Sequence, residues 1–412
     1  MTNDCLSNTT LPQTLQLDGE QLSAFYQPII ALDTRKIVGY EVLGRACKDD
    51  AVRSLGPFFC DAAVPTQDHI AVDRILREQA FRKIGATPQP PMLFINLKPN
   101  WMHRGVQSGE LYTLSLLDKY KVDPRRVVIE ITEESFNGEI EELREIIDLY
   151  RSKGCLIAID DVGSGFSGMD RIALIQPNIL KIDIHMLKRS ASHDGYLGTL
   201  RSLSALADQL GASLLAEGVE TKQDLARAIQ AGARYVQGFL LAKAEPDFDE
   251  PSRFSALLEE ELEAHRQLQL YSESYWRYLS DRLSGKIDRI GHLEELEEED
   301  NEWAVRLLQE LENNSIRVYL CREDGIQISS NYSRREDGSW QREDEYCGAN
   351  WSWRPYFVPN VVQLSENRRT MVSRAYTDLD SRAWIRTVSV LVKPGIILFV
   401  DMKDPEPDYY RL

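Results

Sequence analysis

Seven successive apolar runs in this chain each end on a polar or charged side chain. These residues are Glu41, Asn96, Glu130, Asp160 with its neighbour Asp161, Lys181, Glu217 and Gln237. The carboxyl ends of parallel strands meet at one rim of a barrel, so we expect these side chains to form one site. Any one of them could instead cap a strand or the start of a helix, but a series of seven favours a shared function.

The residue types in this series indicate the chemistry. Carboxylate and amide oxygens are hard ligands, and no histidine or cysteine accompanies them, which favours Mg²⁺ or Mn²⁺ over Zn²⁺. Adjacent Asp160 and Asp161 could share or bridge two cations, an arrangement that suits phosphodiester hydrolysis. Lys181 would supply a fixed positive charge, and Glu217 is a candidate general base or a holder of metal-bound water. We expect Ca²⁺ to inhibit, because it prefers longer bonds and more ligands.

Eight short apolar runs alternate with helix-like segments between about residues 20 and 245. They are Phe25–Leu32, Ile37–Leu43, Leu93–Asn96, Val127–Ile131, Leu156–Asp160, Ile179–Ile182, Ser213–Ala216 and Tyr235–Leu240. Strands that alternate with helices pair in parallel through crossovers, and eight of them imply a barrel. Only Asp33–Lys36 separates the first two runs, so this pair should be an antiparallel hairpin. Apolar spacing predicts helices over Glu139–Lys153 and Leu200–Leu210, the second ended by Gly211.

Several of these segments resemble the signatures of a known family. The segments FYQPIIAL, KIVGYEVLGR, FINLKP, VVIEITEES, IAIDDVGSGFS, LKIDIHML, LLAEGVET and VQGFLLAKA are similar, in the same order, to those of the EAL-domain family. The resemblance covers about residues 20 to 245 and implies a TIM-like (β/α)8 barrel with an antiparallel first strand. It also implies binding of cyclic di-GMP and its hydrolysis to linear pGpG with Mg²⁺ or Mn²⁺.

The resemblance implies a role for each rim residue. Glu41, Asn96, Glu130 and Asp160 would ligate one metal ion, and Asp161 would bind a second ion or bridge the two. Glu217 would act as the base or hold the water, while Lys181 and Gln237 would order the site. Glu133 would brace the loop after Asp161, which supports dimer contacts in the family.

Three further residues are candidate substrate contacts. By the same resemblance Arg45 would grip a phosphate of the ligand, although a salt bridge at the barrel rim is the alternative. Gln27 and Leu43 are weaker candidates, since either could simply pack at the rim.

Two departures from the family pattern bear on activity. The motif reads EVL, with Val42 where alanine is usual, and the loop DDVGSG has Val162 for phenylalanine and Ser164 for threonine. A shifted metal ligand or a less firmly packed loop lowers the rate, because catalysis depends on placement within an ångström. The alternative to a phosphodiesterase is therefore a cyclic di-GMP-binding receptor with little or no turnover.

The composition changes near Pro251. Four of the seven tryptophans lie after residue 339, whereas only Trp101 precedes residue 250. The chain is thus predicted to comprise an EAL barrel domain at residues 1–250, a helical linker at 251–312 with a helix over 252–283, and an α+β domain at 313–412. Strands are expected at Arg317–Leu320, Ile326–Ser329, Thr370–Tyr376, Ile385–Val392 and Gly395–Asp401.

The segments RVYLCREDGIQIS and NWSWRPYF, and the strands that end at FVDM, resemble PAS-like or Cache-like sensory domains, and Arg354–Phe357 is similar to an element of Cache-type domains. This implies regulation of the barrel by an unknown small-molecule or protein signal; the alternative is that the aromatic residues here are only the core of a small domain. The apolar stripe of the helix over 252–283 must pack on the barrel or on a second subunit, and we expect a homodimer.

The charge and the apolar content exclude some partners. The chain has 48 Lys and Arg against 65 Asp and Glu, a net charge of −17, which disfavours binding to DNA, RNA or an anionic membrane surface. No run reaches the roughly 18 apolar residues that span a bilayer, and the amino terminus lacks the pattern of a signal peptide. The dispersed cysteines are typical of reduced thiols, so we expect a cytoplasmic protein.

Overall fold

The computed structural model of the chain describes residues 16–17, 19–49, 51–98, 111–132, 140–163, 169–190, 193–290, 302–365 and 368–404. The chain divides into two compact units, one up to His265 and one from Arg266 onward. No helix among the described residues is both long enough and apolar enough to cross a bilayer.

The first unit is built on a ten-stranded sheet. Its strands are β1 (Gln16–Leu17), β2 (Glu20–Ala31), β3 (Lys36–Lys48), β4 (Ala51–Ser54), β5 (Met92–Leu97), β6 (Val127–Thr132), β7 (Leu156–Val162), β8 (Ile179–Ile182), β9 (Ser213–Ala216) and β10 (Tyr235–Val236). The strand order is β1-β2-β10-β9-β8-β7-β6-β5-β3-β4, and β2 also pairs with β3, which closes eight strands into a barrel. Strand β2 is antiparallel to both of its barrel neighbours, while the other barrel pairs are parallel. The predicted TIM-like barrel with an antiparallel first strand is confirmed.

The hairpin of β2 and β3 extends beyond the barrel. The parallel pairing of β3 with β5 ends where Glu41 faces Phe94, but β3 continues to Lys48. Over that extension it pairs with β2 on one side and with β4 on the other. The apolar run that predicts the strand stops at Leu43, because the extension is only half-buried and lacks the continuous apolar pattern of a barrel strand.

Helices follow most barrel strands. They are α1 (Gly56–Cys60), α2 (Thr66–Gly85), α3 (Tyr112–Tyr120), α4 (Ile140–Lys153), α5 (Met169–Ile175), α6 (Ile184–Ser190), α7 (Asp194–Leu210) and α8 (Lys222–Gln230). The predicted stripe of α4 is buried at Leu143, Ile146, Ile147 and Tyr150. Helix α7 ends at Gly211, whose φ of 67° is the left-handed conformation that glycine adopts without strain.

The second unit contains an antiparallel sheet. Its elements are α9 (Ser255–Ile290), which begins in the first unit, α10 (Glu302–Glu310), β11 (Ser315–Arg322), β12 (Asn331–Arg334), β13 (Trp340–Glu343), α11 (Phe357–Gln363), β14 (Thr370–Val372), β15 (Tyr376–Thr377), β16 (Trp384–Lys393) and β17 (Ile396–Lys403). The order is β13-β12-β11-β17-β16-β14, with β15 paired to β16. The predicted C-terminal α+β domain on an antiparallel sheet is confirmed.

The two faces of this sheet carry different cores. Val318 and Leu320 of β11 pack with Trp276 and Leu279 of α9 on one face. Tyr319, between them in sequence, points to the other face, where it packs in an aromatic cluster with Phe357 and Phe399. This alternation follows from the two-residue period of a strand.

Two expectations for the second unit are wrong in detail. Helix α9 continues through Ser284–Gly285 to Ile290, beyond the end at residue 283 that the sequence predicts. Glycine inside a helix costs only about 1 kcal/mol, and burial of Leu283 and Ile287 on either side outweighs it. The predicted strand Ile326–Ser329 forms only isolated bridges, and the strand lies at Asn331–Arg334 instead.

Candidate functional site

Strand alternation aims the predicted rim residues into the barrel. For six of the predicted rim residues, the residue two positions earlier in the chain has its side chain inside the barrel. Because residues two apart in a strand point to the same face, the rim residue points into the barrel as well. The interior residues are Phe94, Val128, Ala158, Ile179, Leu215 and Tyr235, and the rim residues that follow them are Asn96, Glu130, Asp160, Lys181, Glu217 and Gln237. The apolar residues fill the barrel, so the polar ones that follow stand on top of that packed layer.

Lys181 lies at the centre of the rim and is fully buried. Its Nζ is 2.6 Å from Glu130 Oε1, 2.6 Å from Glu217 Oε1, 3.3 Å from Asp160 Oδ2 and 3.9 Å from Glu41 Oε2. One ammonium group thus holds four carboxylates that come from four different barrel elements.

The charges of this cluster do not balance. Within the described part of the chain, Lys181 is the only basic side chain paired with these four acids, and Glu130 Oε2 has no hydrogen-bond donor. Burial raises the pKa of Glu130 and of Glu217 well above its usual range, even though Lys181 lowers both. Burial opposes the charge of Lys181, but the surrounding carboxylates raise its pKa well above the usual range. A buried excess of negative charge favours a bound cation.

The donor set fits a hard divalent cation. Carboxylate oxygens of Asp160, Asp161 and Glu217 lie within 4.8 Å of one another. Burial, followed by the charge of Asp160, raises the pKa of Asp161 to about 6. Asp161 adopts a φ of 57°, a conformation rare outside glycine that marks strained functional positions. Asn96 and Glu41, the remaining predicted ligands, join the same rim.

Hydrogen bonds orient Glu41 from two sides. Asn96 Nδ2 donates to Glu41 Oε1 at 2.9 Å, and Gln237 Nε2 donates to Glu41 Oε2 at 2.7 Å. The amide oxygen of Gln237 is buried and has no hydrogen-bond partner among the described residues. A Cβ at Gly238 would lie 2.1 Å from the carbonyl oxygen of Val219, so only glycine lets this backbone approach so closely.

One supporting residue is missed by the sequence analysis. Arg77 of α2 is buried, and its guanidinium donates to both carboxylate oxygens of Asp73 at 2.7 Å. It also donates to the backbone carbonyl of Asn96 at 3.2 Å, which fixes the end of β5. The signal in the sequence is an arginine within the apolar stripe of a helix, four residues after an aspartate.

The predicted substrate contacts lie on the β2–β3 hairpin. Arg45 is half-buried; it donates to the carbonyl of Gly44 at 3.0 Å and lies over the ring of Phe25. No described carboxylate pairs with it, so the alternative rim salt bridge is not observed. Gln27 is buried and donates to the carbonyl of Ala242 at 3.2 Å, and Leu43 is half-buried. Glu133 lies outside the described residues.

Two family matches cover almost the whole chain. Residues 9–244 match the family described as EAL domain. Residues 258–405 match a family described as EAL-domain associated signalling protein domain. The tail therefore has a family description of its own, which replaces the PAS-like or Cache-like name.

Individual relatives agree with these matches. The EAL-domain containing protein YkuI of Bacillus subtilis is 35% identical over 389 residues, which are 92% of this chain and 93% of that protein. Its crystal structure, in complex with substrate c-di-GMP and calcium, has a TM-score of 0.84 at 33% identity and covers 93% of this chain and 96% of that one.

Two further relatives match a little more than half of this chain. The cyclic di-GMP phosphodiesterase RocR of Pseudomonas aeruginosa is 30% identical over 237 residues, 56% of this chain and 59% of that protein. A standalone EAL protein of Vibrio cholerae O395, in its c-di-GMP bound form, is 26% identical with a TM-score of 0.50 over 58% of this chain and 99% of that one. The chain belongs to the EAL-domain family.

Proposed function

We propose that this chain is a metal-dependent cyclic di-GMP phosphodiesterase that hydrolyses cyclic di-GMP to linear pGpG. The observation that carries the proposal is the buried excess of carboxylates around Lys181 at the barrel rim. The named activity of RocR and the ligand in the YkuI crystal structure support the same substrate.

The rim residues divide into holding and reacting groups. Glu41, Asn96, Glu130 and Asp160 would hold one Mg²⁺ or Mn²⁺, with Asp161 holding a second ion or bridging the two; Ca²⁺ would inhibit. When bound, these cations neutralise phosphoryl charge and make water more acidic. The remaining roles follow from what this chain's own side chains can reach.

Glu217 is proposed to accept the proton of the attacking water. Its side chain is 20% exposed and can therefore meet a water molecule, whereas Glu130 is fully buried and does not meet solvent. The water oxygen forms a new bond to one phosphorus as the ester bond from that phosphorus to a sugar 3′ oxygen breaks. The leaving 3′ oxygen takes up a proton from solvent, and the ring opens. Lys181 holds the Glu217 carboxylate in place, and Gln237 holds that of Glu41.

The substrate would lie over the β2–β3 hairpin. Arg45 is proposed to bind a phosphate, because its guanidinium is held by a ring and a carbonyl and pairs with no described carboxylate. Gln27 and Leu43 are proposed as flanking ligand contacts. Glu133 is proposed to brace the loop that follows Asp161.

The proposal extends to organisation and control. The domain boundaries at 1–250, 251–312 and 313–412 are proposed, together with regulation by the C-terminal domain and assembly as a homodimer. A cytoplasmic location fits the described cysteines, all of which are free thiols.

One assay tests the proposed function. Purified full-length protein is incubated with cyclic di-GMP and Mg²⁺ or Mn²⁺, and pGpG is followed by chromatography. We expect pGpG with either cation and none after chelation. Nucleotide binding without pGpG in either cation would contradict the enzyme and identify a receptor.

A further inference from the structure

A cavity of about 80 Å³ opens on the aromatic face of the C-terminal sheet. Residues that line it include Arg317, Tyr319, Arg354, Tyr376 and Asp401. A water molecule needs about 10–15 Å³ of such space, so the cavity has room for roughly five to eight non-hydrogen atoms. It would therefore take a small ligand and not a nucleotide.

One side of the cavity carries buried carboxylates. Asp378 is 3% exposed and Asp401 is 1% exposed. Arg317 lies between them and donates to Asp378 Oδ1 at 2.9 Å and to Asp401 Oδ2 at 3.2 Å. Burial still raises the pKa of Asp401, although Arg317 and Thr387 lower it. A second cationic group beside Asp401 would stabilise this carboxylate.

Arg354 supplies a cation that no described carboxylate neutralises. Its guanidinium carbon lies 5.3 Å from the ring centroid of Trp353, 5.7 Å from that of Tyr356 and 5.2 Å from that of Tyr376. Rings hold this side chain in place by cation–π contact. Its N–H fork therefore suits a ligand carboxylate, which an arginine binds in a bidentate manner.

The charged residues around the cavity disfavour a ligand that carries only positive or only negative charge. A divalent cation would meet two guanidinium groups, those of Arg317 and Arg354, and a simple anion would meet Asp378, Asp380 and Asp401. A ligand with one group of each sign finds a partner for both. The ring faces of Tyr356 and Tyr376, which stack at 5.1 Å, add an aromatic wall.

We propose that this cavity binds a small zwitterion of the α-amino acid class, its carboxylate on Arg354 and its ammonium group beside Asp378 and Asp401. The size limit selects amino acids of five to eight non-hydrogen atoms. Such a ligand would give the C-terminal domain its own chemical input. Binding is measured without turnover, so the result does not depend on the activity of the barrel.

Calorimetry on the full-length wild-type protein is the first test. Glycine, L-alanine, L-serine and L-threonine are titrated, each against the matching acid without the amine and the matching amine without the acid. We expect at least one amino acid to bind, with Trp351 fluorescence changing at the same concentrations. The matched acid and amine should each bind at least about tenfold more weakly, because each loses one charged contact.

Two variants test whether the ligand binds in this cavity. Arg354→Gln should weaken binding at least about tenfold, whereas Arg322→Gln, an exposed arginine on β11 outside the cavity, should leave it unchanged. No binding of any of the four amino acids at millimolar concentration would overturn the proposal. Equal binding of an acid or amine alone, or undiminished binding by Arg354→Gln, would also overturn it. If Arg354→Gln does not fold, the comparison of compounds on the wild-type protein decides.

Discussion

In both units carboxylates surround one basic side chain, yet the two clusters satisfy those carboxylates in different ways. In the C-terminal unit, Arg317 donates to Asp378, Asp380 and Asp401. Hydroxyl groups complete the cluster, since Ser381 donates to Asp378 at 2.7 Å and Thr387 donates to Asp401 at 2.7 Å.

The barrel cluster lacks this completion. Lys181 is a point charge with three donors for four acids, and Glu130 Oε2 receives no hydrogen bond from the described residues. The pKa of Glu130 and that of Asp378 shift in opposite directions. Burial raises the pKa of Glu130 well above its usual range, while at Asp378 the hydrogen bonds from Arg317 and Ser381 outweigh burial and lower the pKa; at Asp401, burial still raises the pKa. Hydroxyl groups help to position Asp378 and Asp401, whereas the unsatisfied carboxylate oxygens of the barrel rim are left for a metal cation.

The largest effect that we expect is on stability, when the basic residue of each cluster is replaced. Lys181→Met and Arg317→Met each leave buried carboxylates without their partner, which lowers the free energy of unfolding by about 3–5 kcal/mol. Mn²⁺ should restore much of the lost stability in Lys181→Met and none in Arg317→Met. Thermal unfolding with and without Mn²⁺ measures the loss of stability and its recovery in each variant. If Mn²⁺ stabilises the two variants equally, the proposed difference between the clusters is wrong.

The next effect separates chemistry from binding at the rim. Glu217→Gln keeps the size of the side chain but removes the proposed base, so turnover should fall about 10²-fold or more while cyclic di-GMP binding is retained. Glu220→Gln, on the same loop but paired with Lys188 at the surface, is the matched control. Chromatography of pGpG measures turnover, and calorimetry measures cyclic di-GMP binding. Full turnover by the Glu217→Gln variant would show that Glu217 is not the base.

A substitution on the β2–β3 hairpin should have a smaller effect, which is on cyclic di-GMP binding. Arg45→Ala removes a charge-assisted contact to phosphate, which should weaken cyclic di-GMP binding by roughly tenfold or more. Arg53→Ala on β4 removes the same charge from a side chain that already pairs with Glu20, so it should not affect binding. If calorimetry gives the two variants the same affinity, Arg45 is not a phosphate contact.

The smallest effect that we expect is a reversible inhibition of turnover by Ca²⁺. Because Ca²⁺ fits the same oxygen ligands but is a poorer Lewis acid for this chemistry, it should lower Mg²⁺-supported turnover competitively. Excess Mg²⁺ should restore the rate of pGpG formation. Inhibition that excess Mg²⁺ does not relieve would indicate a separate calcium site.

Much of the barrel and its rim could be predicted because both depend on local patterns. The two-residue strand period places Glu130 and Lys181 on the barrel interior, and the short connection Asp33–Lys36 requires a hairpin. The central position of Lys181 could not be predicted, because it depends on the register of neighbouring strands. The role of Arg77 could not be predicted for a similar reason, since its contact with Asn96 joins a helix to a strand.

The second unit is less predictable because long-range contacts decide its elements. Ile326–Ser329 has an apolar pattern, yet buried Gln327 donates to the carbonyl of Ser329 at 2.7 Å and to Asn331 at 3.0 Å, which ties the segment locally. Pairing with β13 then selects Asn331–Arg334 as the strand. The sequence contains no local signal for this choice.

Mn²⁺ binding to the full-length chain, measured by electron paramagnetic resonance, tests most directly that the unsatisfied rim is a cation site. Wild-type protein should bind Mn²⁺, and Glu130→Gln should bind it at least about tenfold more weakly, since even residues that only support metal ligands cost 10- to 100-fold. Glu343→Gln, which makes the same charge change on β13, should match the wild type. No Mn²⁺ binding by the wild type, or equal binding by Glu130→Gln, would contradict the account.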